Sequence, residues 1–280
     1  MTQPRPPEGP PVPGPEPGRD LPAFDATVAN PARMWNYWVG GKDNFAVDRA
    51  AEDVLQAMPA LPMLARFTRR FIVDTVHDLA AGRGIRQFLD IGTGLPTADN
   101  IHDVAQSAAP DSRIVYVDHD PIVLSHARTL LTSSPAGKTD YLQADLRDTG
   151  TILAGAAKTF DLSLPVAVML IAVLHFIPDS DDPYAIVTRL MDAVPSGSYL
   201  VIAHWTDEIQ HTEAAEATRR YNERSPVPIT PRNHEQVTRF FDGLQLTGRG
   251  VVPITEWFES IPGAPAATPL PGYVAMARKP

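Results

Sequence analysis

From residue 85 onward the chain alternates short apolar runs with helical segments, and that alternation constrains its fold more than any other feature. The runs lie at 87–91, 114–117, 141–143, 166–171 and 199–203. Between them the spacing predicts helices over 97–108, 121–131, 149–157 and 183–194. Strands that alternate with helices build βαβ units and a mostly parallel sheet. Right-handed crossovers then put helices on both faces. Residues 207–224 read as a polar helix, and Thr230-Pro231 as the cap of another that ends at Asp242-Gly243. Two last runs, 244–252 and 273–277, are joined by a proline-rich loop and read as a terminal strand pair.

The upstream part has a different character. Residues 1–24 are dense in proline, with glycine and charge mixed in. Such a segment buries too little apolar surface to offset its ordering entropy, so a disordered tail is expected. A polyproline ligand for a partner domain is the other reading. Residues 25–84 are expected to form a helical cap, and residues 85–280 the α/β domain. Asn30 before Pro31 is a helix start, a capping side chain followed by proline in the first turn. That helix carries Met34, Trp35, Tyr37 and Trp38 and ends at Gly40-Gly41. A second helix is expected over 48–58. A third carries Leu64, Phe67, Phe71, Val76 and Leu79 at helical spacing.

Bulk properties narrow the function classes. No run approaches the roughly 18 consecutive apolar residues that span a bilayer. Residues 1–21 lack the apolar stretch of a secretory signal. There is no cysteine, so disulfides, thiolate metal sites and a cysteine nucleophile are excluded. The net charge is −9, without a long Lys/Arg block, which disfavours neutralising a nucleic-acid backbone. The expectation is a soluble, cytoplasmic protein with neither membrane nor nucleic acid as partner, its oligomeric state open.

The candidate site lies at the end of the first strand. Phe88-Leu89-Asp90-Ile91-Gly92-Thr93-Gly94 is a strand running into a tight turn and then a helix. Glycine there permits positive φ and the close approach of a ligand. In open α/β sheets ligands bind beyond the carboxyl ends of the strands, at the switch point. The second run ends at Asp118, where an acid can accept hydrogen bonds from both hydroxyls of a ribose. The third leads into Asp145, where a carboxylate can accept from an exocyclic adenine amine. Singly, each has a plainer reading: an ordinary βα turn, a helix cap, a solvated loop acid. All three in register favour a ligand.

Asp90-Ile91-Gly92-Thr93-Gly94, Asp118 and Asp145-Leu146 resemble the signature series of class I S-adenosylmethionine-dependent methyltransferases. The segment from Ala32 to Phe45 (ARMWNYWVGGKDNF), Leu95-Pro96-Thr97 and Ala172-Val173-Leu174-His175 narrow this further. They resemble a bacterial S-adenosyl methyltransferase family of high-GC Gram-positive bacteria, long labelled as of unknown function. The resemblance implies an α/β, Rossmann-like, seven-stranded and mostly parallel sheet with helices on both faces and the last strand antiparallel. It implies S-adenosyl-L-methionine as cofactor, S-adenosyl-L-homocysteine as product and a small-molecule methyl acceptor. It puts Gly92, Thr93 and Gly94 beneath the methionine part, with Asp90 at its amino group. Asp118 then holds the ribose with His119 beside the adenine, and Asp145 binds the adenine amine with Leu146 flanking the ring. Ile171 and Ala172 line the cofactor's other side. The pattern departs at Pro96, where many class I enzymes carry a third glycine.

A nicotinamide-dinucleotide oxidoreductase is the competing reading. It needs Gly-x-Gly-x-x-Gly to seat a pyrophosphate, and the sixth position here is Thr97. A non-catalytic cofactor-binding protein is a third. The segment 30–45 reads either as a packed amphipathic helix or as a lid that excludes water. Arg33 and Lys42 are its candidate partners for the cofactor carboxylate. His175 is a candidate general base near the methyl group, and His204 holds a similar position, with a structural hydrogen bond as the alternative for both. The acidic run 179–182 precedes a helix, where the dipole favours it, and no metal is expected there.

Overall fold

A computed structural model describes residues 27–49, 52–96, 99–121, 123, 133–259 and 269–280. The tail expected at 1–24 and most of the helix expected at 121–131 lie outside the described residues. Five strands pair in parallel: β1 Gln87–Ile91, β2 Arg113–Asp118, β3 Lys138–Gln143, β4 Ala167–Ile171 and β5 Tyr199–Trp205. Their order is β3-β2-β1-β4-β5. The chain builds outward from β1 to β3 and then returns to β4, so the switch point lies between β1 and β4.

Among the described residues the sheet has eight strands rather than the seven expected, and the difference lies at the end of the chain. Residues 244–252 do not form one strand. Gly248 and Gly250 take positive φ (58° and 80°) and turn the chain out of the sheet. This leaves two short pieces, β6 Gln245–Leu246 and β7 Val252–Pro253. Both pair antiparallel with the last strand, β8 Gly272–Arg278, which is itself antiparallel to β5.

The helices before β1 are α1 Pro31–Trp38, α2 Ala46–Arg49, α3 Glu52–Ala57 and α4 Leu61–His77. Those that follow are α5 Ile101–Ala108, α6 Thr149–Ala156, α7 Pro183–Asp192, α8 His211–Arg224, α9 His234–Arg239 and α10 Ile254–Glu259. Two starts differ from the sequence reading for one reason. Asn100 with Asp103, and Asn233 with Gln236, form reciprocal capping boxes, which place the N-termini of α5 and α9 later than Thr97 and Thr230-Pro231 suggest. The expected helix over 48–58 is described as α2 and α3, on either side of the undescribed residues 50 and 51.

Side chains alternate across the strands, as the pleat requires. Phe88, Ile114, Met169 and Val201 face a core shared with Met34, Leu61, Phe71 and Val76 of α1 and α4. Leu89, Ile91, Val115, Val168 and Ile202 face the opposite core with Ile152, Ile186, Leu190 and Phe240. Helices therefore cover both faces, and the strand tips are left to open into a cavity. No helix among the described residues is long and apolar enough to cross a membrane.

Candidate functional site

The turn after β1 depends on its glycines. Gly92 has φ +78°, and a Cβ there would stand 2.5 Å from Val173 Cγ2. It is required twice, for its backbone and for close packing against the β4 turn. Gly94 has φ +65°, and among the described residues no atom beyond its chain neighbours lies within 4 Å of where a Cβ would be. The space above Gly94 is part of one cavity of about 1120 Å³, lined by Asp90, Gly92, Thr93, Gly94, Asp118, His119, Asp145, Leu146, Ile171, Ala172 and His175. The sequence-predicted site residues that are not on its wall are Arg33, Lys42 and His204.

Asp90 is 6% exposed at the tip of β1. Burial pushes its pKa up to about 7, against the Thr93 hydrogen bond and the Arg69 guanidinium, which pull it down; Asp118 adds a smaller upward push. Arg69, on α4, lines the same cavity and donates to Asp99 O at 2.7 Å. It is a cation beside Asp90 that the sequence reading missed, because only the docking of α4 on β1 brings the two together.

Asp118, also 6% exposed, ends β2. Its two oxygens accept from Gly94 N (3.0 Å) and Asp120 N (2.9 Å), which ties the β1 and β2 turns together. Burial raises its pKa, and those two N–H bonds oppose the rise. His119 is mostly exposed, with Nδ1 3.5 Å from Asp118. Asp145, after β3, is half exposed and already engaged: Arg147 pairs with it at 3.0 Å and reaches Asp181 at 2.6 Å. Leu146 is buried beside it.

Past β4, Ala172 takes a left-handed φ of +54° while its N–H stays bonded to Ala203 O (2.9 Å). That kink turns residues 173–178 across the strand tips. The segment is held by Arg232, whose side chain is fully buried. Its guanidinium donates to Leu174 O (3.0 Å), Ile177 O (2.7 Å) and Asp179 Oδ1 (2.7 Å), and meets His204 Nε2 at 3.0 Å. His204 Nδ1 faces Trp205 O at 2.7 Å, so it carries the proton and Nε2 accepts from Arg232. Burial, reinforced by Arg232, takes the His204 pKa down to about 3. With both ring nitrogens engaged, His204 is the structural histidine of the two alternatives.

His175 is 8% exposed, and its Nδ1 has no hydrogen-bond partner. Burial first, then His204 and Arg232, hold its pKa well below the usual range, so it is neutral. The acids at 179–182 have other duties: Asp179 faces Arg232, Asp181 faces Arg147, and Asp182 caps α7 through Ala185 N.

The N-terminal helix forms a wall of the cavity. Trp35 and Trp38 line it, edge to face at 6.3 Å. Asn30 caps α1 and also donates to Asp120 at 2.6 Å, tying the helix to the β2 turn. Neither basic candidate of this segment meets the expectation. Arg33 is buried against Asp48 at 2.8 Å. Lys42 is exposed and lies outside the cavity lining. The reason is Asn36, whose Oδ1 accepts from Asp43 N (3.0 Å) and Asn44 Nδ2 (3.2 Å). A Cβ on Gly41 would overlap the same Asn36 amide, so Gly40-Gly41 is a packed turn rather than a loose joint.

Over residues 18–280 the sequence matches the family described as S-adenosyl methyltransferase. A solved DUF574 family protein from Streptomyces avermitilis is 42% identical over 91% of this chain and 99% of its own, with TM-score 0.86. A candidate methyltransferase from Thermobifida fusca is 35% identical over 90% of this chain and 96% of its own, with TM-score 0.81. Magnesium protoporphyrin IX methyltransferase from Synechocystis, solved with bound S-adenosylmethionine, is 10% identical over 92% and 99%, with TM-score 0.50, a likeness of fold. No curated protein matches the sequence significantly.

Proposed function

Because the chain belongs to the S-adenosyl methyltransferase family and is an enzyme that uses S-adenosylmethionine, we propose that the cofactor lies along the tips of β1, β2 and β3 and gives its methyl group to a small molecule held against β4 and β5. One observation carries this reading. Asp90, Gly94, Asp118 and Asp145 come from three strand tips and line one cavity. Asp90 takes the methionine ammonium and Arg69 its carboxylate. Asp118 uses its remaining lone pairs for the ribose hydroxyls, and Asp145 accepts from the adenine amine beside Leu146. Ile171 and Ala172 close the sulfonium side. The sulfonium is already activated, so alignment and water exclusion supply much of the rate. Neutral His175 orients the nucleophile, an O, N or C atom of the acceptor.

S-adenosylhomocysteine should stabilise the protein by about 2.7 kcal/mol at a hundredfold excess over its Kd, and NAD should not. Thermal melts with each ligand check this. A shift with NAD and none with S-adenosylhomocysteine would sink the assignment of the site.

A pH dependence follows from Asp90. An ammonium is best met by an ionised carboxylate, yet burial favours the protonated acid below about pH 7. Binding there expels a proton. S-adenosylhomocysteine affinity should thus rise with pH, by up to about tenfold per unit below pH 7, and level off above it. Stability without ligand runs the other way. The folded protein keeps this proton where the unfolded chain has lost it, so the contribution is full below about pH 4 and is lost as pH rises to about 7. Calorimetric titration at about pH 6 and about pH 8 reads the first slope and urea denaturation at about pH 5 and about pH 7 the second, with Asp90→Asn as the flat control for both. A pH-independent wild-type affinity would place Asp90 away from the ammonium.

A further inference from the structure

The cavity has room beyond the cofactor. Its volume of about 1120 Å³ exceeds the roughly 300–1,000 Å³ of pockets that hold one small ligand. Its two halves also differ in charge. The charged side chains on its wall come from the first half of the fold: the β1–β3 turns, Asp43, and Arg66, Arg69 and Arg70 of α4, of which Arg66 and Arg70 are exposed. Among the described lining residues from β4 onward, none carries a charge. Their titratable side chains are His175 and Tyr221. The rings of Phe176, Trp205 and Tyr221 make this half aromatic, and Trp35 and Trp38 line the same cavity.

Three polar atoms of cavity-lining residues are buried without a partner: Trp38 Nε1 on α1, and His175 Nδ1 and Tyr221 Oη from β4 onward. The indole N–H is a donor, the neutral imidazole offers one donor and one acceptor, and the phenol can do either. A buried polar group left unpaired is a standing penalty that a ligand with matching groups relieves. None of the three atoms is open to water, so small ring rotations accompany binding. An anionic or cationic acceptor finds no counter-charge here and loses its hydration on entry. Flat rings, by contrast, match the aromatic walls.

Resting on the cofactor placement above, we propose that the methyl acceptor is an uncharged aromatic hydroxyl compound, stacked among Trp38, Phe176 and Tyr221 with its hydroxyl at His175. Its oxygen attacks the methyl carbon and forms the O–CH3 bond. The S–CH3 bond breaks with its electron pair left on sulfur, which yields S-adenosylhomocysteine. The hydroxyl proton passes to the neutral imidazole and on to water. A weakly basic histidine suffices, because the proton becomes strongly acidic only as the oxygen gains the methyl. One positive charge enters this step on sulfur and one leaves on the imidazole, so the half-cavity never has to hold a net change in charge.

The test uses the full-length protein saturated with S-adenosylhomocysteine and three probes of one ring shape. These are 2-naphthol, 2-naphthoate and 2-(aminomethyl)naphthalene: neutral, anionic and cationic. Calorimetry should give 2-naphthol a Kd at least about tenfold below both charged probes. With S-adenosylmethionine instead, mass spectrometry should detect 2-methoxynaphthalene. Trp38→Phe, which keeps a ring and removes the N–H, should weaken 2-naphthol by about tenfold or less. Equal or tighter binding of a charged probe, or no binding of any probe to protein that takes up S-adenosylhomocysteine normally, overturns the acceptor class alone. Failure to take up S-adenosylhomocysteine overturns the cofactor placement and this inference with it.

Discussion

Arg232→Met is expected to destabilise the protein by about 3–5 kcal/mol, although Arg232 touches none of the residues assigned to the cofactor. The side chain is fully buried and satisfies two main-chain carbonyls, of Leu174 and Ile177, together with His204 Nε2. Methionine fills much of the volume but donates nothing. Two buried acceptors, Ile177 O and His204 Nε2, are then orphaned at roughly 1–3 kcal/mol each, and Leu174 O keeps only the Ile177 N–H, less the desolvation regained by removing the cation. Asp179 adds little to the loss, because its side chain is 60% exposed and rehydrates. Lysine should rescue only part of the stability, since one ammonium cannot span acceptors that a planar fork reaches. Urea denaturation of the two variants gives the comparison. A loss below about 1 kcal/mol for methionine would mean that water replaces the guanidinium, and that the β4 turn does not depend on it.

Gly92→Ala should be nearly as damaging, and Gly94→Ala should not. Both positions require a left-handed backbone, which costs an alanine roughly 1–2 kcal/mol. Only Gly92 adds a collision, with its new Cβ 2.5 Å from a methyl of Val173. Val173 is β-branched and stiff at χ1, so relief must come from the backbone, at a further 1–3 kcal/mol or so. The expected total is about 2–5 kcal/mol for Gly92→Ala and about 1–2 for Gly94→Ala. Binding should show the opposite emphasis. The methyl of Gly94→Ala projects into open cavity, so it should weaken S-adenosylhomocysteine more than it weakens the fold. Melting temperature and Kd measured on both variants separate the two roles. Equal destabilisation would show that the Val173 contact yields freely.

The contrast between Gly92 and Arg232 also marks what the sequence could convey. The glycine turn, Asp118 and Asp145 were legible because each depends on a local pattern, a strand tip followed by its own turn. The sheet was legible for the same reason, as a series of short apolar runs. Arg232 was not. Its partners lie at 174, 177, 179 and 204, and nothing local distinguishes it from a surface arginine. Arg69 was hidden likewise, since its closeness to Asp90 depends on how α4 docks. Lys42 erred in the other direction. Its composition suited a carboxylate, but the Asn36 clamp, formed by backbone groups at 41 and 43, fixes the turn with Lys42 facing solvent. The split of residues 244–252 turns on two glycines at positive φ, which periodicity alone does not weigh.

The placement of β8 has a consequence for how the molecule assembles. β5 has β4 on one side and β8 on the other, and all seven of its residues are buried. Residues 206–271 separate β5 from β8 in the sequence, so β5 gains its second neighbour only through a long-range pairing. Until then the row β3-β2-β1-β4-β5 ends in an open, apolar edge, and closing it is a long-range step of the slow kind. Refolding should pass through a species that holds the parallel sheet yet offers β5 to any strand that arrives first, including one from another molecule. The yield of native protein should fall with concentration during refolding. A peptide of residues 272–278, added in excess, should compete for that edge and slow the final phase.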